Sequence, residues 1–316
     1  MIFRTLSFSG FCFLASVLCF FPAARAQDIM KDAVASFPPQ TIRVEYSRPA
    51  KLRTLPDYES LRRRYAGPGL RALENNLSKL GVEESDIDEL VLGWRSRSES
   101  LDLLGLAGGR FDPASVASHA VASRLKPIVV EGSKTYCFGS EATSPCVAVL
   151  DETRGALGTL NSLTALLQAR QGRSPSLSSD SHFTALADEA RSDSPIWGIA
   201  TGAAVADWFK GWMPTQKDLE LDWSQAFQNV SSLIYSVDAA DKVRLNVKMA
   251  CTTPQAAADL NRIFQGMKLF QQLAWQRQNP NRPNPFEDLA IDNRGQQVTL
   301  ALTTVYAALE GAAFGN

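Results

Sequence analysis

Between residues 87 and 125 the apolar and polar positions alternate in two runs and then change period. IDELVLGW (87–94) and SLDLLGLAGGRF (100–111) carry the two-residue alternation of strands, with a polar turn at Arg95 to Glu99 between them, and DPASVASHAVASRL (112–125) follows with helical spacing. Asp112 has the side chain of a helix N-cap. Pro113 suits the first helical position, where its missing N–H removes no hydrogen bond. The same succession returns downstream as VSSLIYSV (230–237), a turn at Asp238 to Asp241, KVRLNVKMA (242–250) and TTPQAAADLNRIFQ (252–265), now with Thr253 as cap and Pro254 behind it. Leu101 and Leu103 of the first copy answer Val243 and Leu245 of the second.

The flanking segments correspond as well. TIRVEY (41–46) and a helix through ESLRRRYAGPGLRALENNLSKL (59–80), interrupted near Gly67-Pro68-Gly69, precede the first copy; IWGIATG (196–202) and AAVADWFKGW (203–212) precede the second. KPIVVEG (126–132) follows the first and QQVTLALTTV (296–305) the second. Each half therefore reads β-α-β-β-α-β. This predicts an α+β fold of two tandem split β-α-β (ferredoxin-like) units, each an antiparallel sheet with helices on one face, related by duplication.

The units span residues 27–131 and 196–316. Residues 132–195 are read as an inserted segment: strands around Cys137 and Cys146, a strand at 155–160, a helix at 162–170, a Ser-rich connector RSPSLSSDS and the helix HFTALADEA (182–190). NPNRPNPF (279–286) stops the long helix begun at Pro254, since its prolines cannot continue one.

The first 26 residues change this picture from a fold to an address. Arg4 supplies a positive start and residues 8–21 an apolar run too short to span a membrane comfortably. Ala24-Arg25-Ala26 places small residues where a signal peptidase reads them. The expectation is a cleaved signal peptide, a mature chain from Gln27 and a periplasmic or extracellular protein with no transmembrane segment after cleavage. Cys19, preceded by Ser16-Val17-Leu18, is not a lipid-anchor site on this reading.

Charge is balanced, with 32 Lys+Arg against 33 Asp+Glu, and two of the cations, Arg4 and Arg25, leave with the signal. That argues against a nucleic-acid binder, which would carry a concentrated basic face, and gives no reason to expect a polybasic membrane patch. With 45% hydrophobic and 21% charged residues the chain can bury a core, so no long stretch is expected to be disordered.

Cys137 and Cys146 flank a Gly, Ser and Pro-containing turn between β-forming runs. In an oxidising compartment a hairpin there predicts a disulfide in preference to two free thiols. Cys251 is left over, read as a small buried apolar residue rather than a reactive thiol.

Candidate chemistry is sparse. His119 lies within a helix among alanines and His182 at a helix start, neither with a partner at metal-ligand spacing. Ser123-Arg124-Leu125-Lys126 matches Ser-x-x-Lys without companion motifs, and is read as a solvated helix end. Glu83 to Glu89 lacks the spacing and turn glycine of a calcium loop and reads as a solvated connection; GLAGG (105–109) has no following lysine to make a phosphate cradle.

The aromatic group Trp197, Trp208, Phe209 and Trp212 stands out. Trp208 and Trp212 share a helix face, which makes the group either core between the units or a contact surface for a partner. No catalytic, cofactor-binding or metal-binding residue is assigned. The expected function is that of an exported, non-enzymatic binding or scaffold protein of the envelope or periplasm. Its partner would be an envelope protein, a glycan or a lipid. The alternatives are a secreted hydrolase with paired carboxylates and a membrane-tethered structural component.

Overall fold

The computed structural model describes residues 28–55, 58, 59, 62, 68–97, 100–212 and 222–309. The signal-peptide expectation and the hairpin tip at 98–99 lie outside them. Among the described residues twelve strands form one sheet, antiparallel at every pairing. In chain order they are β1 (Thr41–Ser47), β2 (Ile87–Arg97), β3 (Ser100–Gly109), β4 (Ile128–Val130), β5 (Ser133–Cys137), β6 (Pro145–Val149), β7 (Arg154–Thr159), β8 (Ile196–Thr201), β9 (Val230–Ala239), β10 (Val243–Cys251), β11 (Ala290–Arg294) and β12 (Gln297–Thr304). Their spatial order is β11-β12-β10-β9-β8-β1-β2-β3-β7-β6-β5-β4.

The helices are α1 (Ile29–Ser36), α2 (Pro49–Leu52), α3 (Pro68–Ser78), α4 (Pro113–Ala122), α5 (Leu160–Arg170), α6 (Ser181–Ala190), α7 (Ala203–Trp212), α8 (Trp223–Ala226), α9 (Pro254–Gln278) and α10 (Tyr306–Leu309). Both expected caps are in place. The Asp112 carboxylate accepts from the Ala114 N–H at 2.9 Å, and the Thr253 hydroxyl accepts from the Ala256 N–H at 3.1 Å. α9 ends at Gln278, directly before the proline-rich stretch.

The repeated hairpin and helix are present, but the strands do not take the ferredoxin-like order. A split β-α-β unit sets its first strand between the third and the fourth, whereas here β1-β2-β3 and β8-β9-β10 simply succeed one another. The cause is where the chain re-enters. Ser47 at the end of β1 faces Leu90 near the start of β2, and Thr201 at the end of β8 faces Ser232 near the start of β9. Each connection thus begins and ends at the same end of the sheet. A crossover helix would instead return the chain to the opposite end and give parallel strands.

The fourth strand beside the first hairpin is also not KPIVVEG. Its β4 lies at the far edge against β5, and β7 occupies the place beside β3. Residues 132–195 therefore extend the first half of the sheet. The strands of the two hairpins are longer than the alternation indicated, taking in Arg95 to Arg97 and Asp238.

Neighbouring residues in a strand point to opposite faces, which sorts the core. Leu106, Ala148, Ala156 and Ile199 face α1, α5 and α6 in one cluster. Their neighbours Ala107, Val147 and Leu157 face α3 and α4, and Ala200, Leu233 and Tyr235 face α7 and α9, on the opposite side. The α1 side of β9, β10 and β12 is left largely bare, and its outward residues Asn246, Thr299 and Ala301 are exposed.

The two halves meet where β1 pairs with β8. Gly198 on β8 lies opposite Tyr235 on β9, and a Cβ there would sit 2.7 Å from the tyrosine ring. The ring is fully buried and cannot retreat. Gly198→Ala is therefore expected to destabilise by about 1–3 kcal/mol in chemical denaturation; unchanged stability would show that the ring can be displaced.

Candidate functional site

A surface cavity of about 470 Å³ opens between α8, the start of β9, the end of β10 and the first turns of α9. Local chemistry fixes its walls. The Asp222 carboxylate caps α8, accepting from the N–H groups of Ser224 and Gln225 at 3.0 and 3.2 Å. The backbone N–H of Thr252 donates to the Asn229 carbonyl at 2.9 Å, tying the turn before β9 to the start of α9.

Behind α8 an aromatic stack gives it a rigid seat. Phe227 lies 4.5 Å from Phe209 between ring centres, Trp223 stacks on both, and Phe264 of α9 closes the group.

The cavity floor is apolar, made by Val230, Cys251 and Leu260, all buried. Its rim is polar: Gln225, Gln228 and Asn229 with the carboxylates of Asp222 and Asp259. Asp259 Oδ1 accepts from Gln255 Nε2 at 2.9 Å and pairs with Arg262 at 2.6 Å. Each carboxylate therefore has one oxygen committed to holding helical structure. Burial pushes the Cys251 thiol up from its ordinary pKa, which disfavours the thiolate.

A smaller cavity, about 280 Å³, lies on the bare side of the second half. Glu189 in the last turn of α6 and Arg191 and Ser192 just after it form its wall, and Ser236, Asn246 and Thr299 belong to its floor. The charges there are paired: Lys248 with Glu189, and Arg191 with Asp28 at 2.5 Å.

Two tyrosine–glutamate contacts lie on opposite faces of β1. Tyr235 donates to Glu45, whose carboxylate also pairs with Arg43 at 3.1 Å; the Arg43 guanidinium lies 4.0 Å over the Trp94 ring. Burial first, then the Glu45 charge, pushes the Tyr235 phenol well above its ordinary pKa.

On the other face Tyr46 donates to Glu89 at 2.5 Å, accepts from Arg48 Nε at 3.0 Å and stacks on Trp197. Burial, reinforced by the Glu89 hydrogen bond, raises Tyr46 from 10.0 to about 12. The folded state thus holds this proton more tightly than the unfolded chain. The resulting stability is complete below pH 10 and is lost as pH rises through about 12. Tyr46→Phe should show a smaller alkaline loss than the native protein in urea titrations across pH 9–12, the remainder belonging to the Tyr235 and Tyr58 phenols, which are also raised; a loss of the same size in the variant would assign it elsewhere.

Of the residues singled out from sequence, Trp197, Trp208 and Phe209 are buried and form core, so they present no contact surface. Trp212 ends α7, with its side chain outside the described residues. His119 is exposed, its Nδ1 2.9 Å from the Ser115 carbonyl, and His182 is exposed at the start of α6. The Ser123 hydroxyl donates to the Lys79 carbonyl at 2.9 Å, which commits it to a structural bond.

The acidic run at 83–89 is more integrated than a solvated connection. Glu83 and Asp86 cap one helical turn reciprocally, Glu84 binds Arg53 and Tyr58, and Glu89 binds Tyr46. The cavity residues around Asp222 and Asp259 carried no sequence signal beyond the helix-start pattern at Thr253-Pro254. Among the described residues no group of three or more His, Cys, Asp or Glu is placed to hold a metal ion, and no helix is long and apolar enough to cross a membrane.

Cys137 and Cys146 form the expected disulfide. They face each other across the β5–β6 hairpin with Cα atoms 4.0 Å apart, and Cys251 is free and buried. The bridge closes a loop of sequence separation 9, so Cys137→Ser is expected to lower stability by about 2 kcal/mol without abolishing the fold. Equal melting of the native protein with and without reductant would contradict that.

No family model matches the chain, and no curated protein matches it. Among solved structures, crystal form I of TP0453 superposes with a TM-score of 0.52 over 87% of this chain and 93% of that one at 9% identity. Crystal form IV of the same protein gives 0.48 over the same shares at 11% identity. At such identity the form I likeness concerns architecture alone, and what it establishes is a mixed α+β chain built around a large antiparallel sheet.

Proposed function

We propose that this chain is an exported, non-enzymatic binding or scaffold protein of the cell envelope or periplasm, released by cleavage before Gln27. The observation that carries the binding reading is the cavity between α8 and α9, within the size range of small-ligand sites and seated on a rigid aromatic stack. Its two carboxylates each have an oxygen committed to a helix cap or an ion pair, which suits positioning better than proton transfer. The disulfide supports an oxidising compartment, and the balanced charge speaks against nucleic acid as partner. The matching outward order of β1-β2-β3 and β8-β9-β10 on either side of the β1–β8 seam supports descent of the two halves from one duplicated unit, with β7 of 132–195 standing where β12 stands in the second half.

The test is retention from an envelope extract on the immobilised mature protein, with the retained protein, glycan or lipid identified. Retention should disappear in Ala256→Trp, which fills the cavity from the first turn of α9, provided the variant melts like the native protein. Retention indifferent to that filling would reject the site. An intact mass beginning at Gln27 supports release, and a retained presequence would point to the tethered alternative.

The hydrolase reading has one observation in its favour, that Asp222 and Asp259 line the same cavity. Turnover of an extract component that is lost in Asp259→Asn would favour it.

A further inference from the structure

We infer that the α8–α9 cavity takes a small cationic amphiphile, a primary amine carrying an apolar body. This rests on the binding reading and adds the chemical class of ligand. Floor and rim differ in what they select. Val230, Leu260 and the Cys251 side chain are buried and offer nothing to a polar group, so they accept hydrocarbon.

The rim selects by charge. Among the described residues no Lys or Arg lines the cavity, whereas Asp222 and Asp259 both do. In each of these carboxylates the helix-holding bonds fall on Oδ1, and among the described residues Oδ2 has no partner. Two carboxylate oxygens at the mouth of an apolar cavity attract an ammonium group and repel a carboxylate, while the amides of Gln225, Gln228 and Asn229 supply further acceptors. Arg262 neutralises part of the Asp259 charge from outside the cavity; no described cation pairs with Asp222.

The test uses the mature protein and three probes of one chain length: hexylamine, 1-hexanol and hexanoate. Binding is followed by calorimetry and by protection of Cys251, the free cysteine lining the cavity, from N-ethylmaleimide. Hexylamine should bind saturably and slow alkylation, hexanol should bind at least about tenfold more weakly, and hexanoate should show no saturation. In Asp222→Asn combined with Asp259→Asn, the amine should weaken at least about tenfold and hexanol should not change. Asparagine still caps α8, so the fold is kept and its melting checks this.

Equal binding of amine and alcohol, an unweakened double variant, or no saturation by the amine would each overturn the assignment. Failure of the class is separable from failure of the binding reading. An extract component retained by the native protein and not displaced by hexylamine rejects the amine while leaving the binding reading standing. Absence of any retained component rejects the binding reading itself.

Discussion

Trp208→Ala is expected to cost about 3–5 kcal/mol of stability, the largest loss from any single truncation in the second half. The indole is 1% exposed, packs edge-on against Phe209 at 4.9 Å and lies 4.7 Å from the Tyr235 ring. Truncation removes this apolar area from the core and leaves a void. The walls of the void belong to β9 and α7, held by the β8–β9 ladder, so they cannot collapse into it.

Urea denaturation followed by far-UV circular dichroism measures the loss. Trp208→Phe should fall between the native protein and the alanine variant, because it restores only part of the volume. A loss below about 1 kcal/mol in Trp208→Ala would show that the ring is not part of the load-carrying core, contrary to its burial.

The same residues show what was legible before the structure. Alternation at Leu101 to Leu106 and Val243 to Val247 located the strands, Asp112-Pro113 and Thr253-Pro254 located two helix starts, and the Cys137 and Cys146 spacing located the bridge. All are local signals, set within a few residues by backbone geometry and hydrogen bonding.

Strand order was not legible, because periodicity records which face a residue occupies and not the end of the sheet at which the chain re-enters. Nothing in TIRVEY distinguishes pairing with IDELVLGW from pairing across a ferredoxin-like interior. α1 was missed for a related reason. It has eight residues, and its stability comes from burying Ile29, Met30 and Ala33 against distant strands rather than from its own pattern. The cavity was illegible for the same reason, since Asp222, Cys251 and Asp259 come together only through the α8–α9 packing.

α1 also shows how the start of the described chain is secured. Asp32→Ala is expected to destabilise by about 3–5 kcal/mol and to release α1 first. Asp32 Oδ2 lies 3.1 Å from Arg154 Nε on β7, and Oδ1 lies 3.2 Å from Arg170 Nη1 on α5, so one carboxylate joins three elements. The Asp32 and Arg154 side chains are each 10% exposed. At that burial the mutual attraction of the pair offsets desolvation already incurred. Removing the anion alone takes a buried countercharge away from the Arg154 guanidinium and leaves the Arg154 and Arg170 cations facing each other across the gap.

Removing both partners should therefore cost less than the sum of the single losses. The cycle of Asp32→Ala, Arg154→Ala and the double variant is expected to show a coupling of roughly 1–3 kcal/mol by denaturant titration. Limited proteolysis should cut the Asp32→Ala variant within residues 28–37 under conditions that leave the native protein intact. Resistance of α1 in that variant, together with additive single losses, would mean that the helix is held by its apolar face alone.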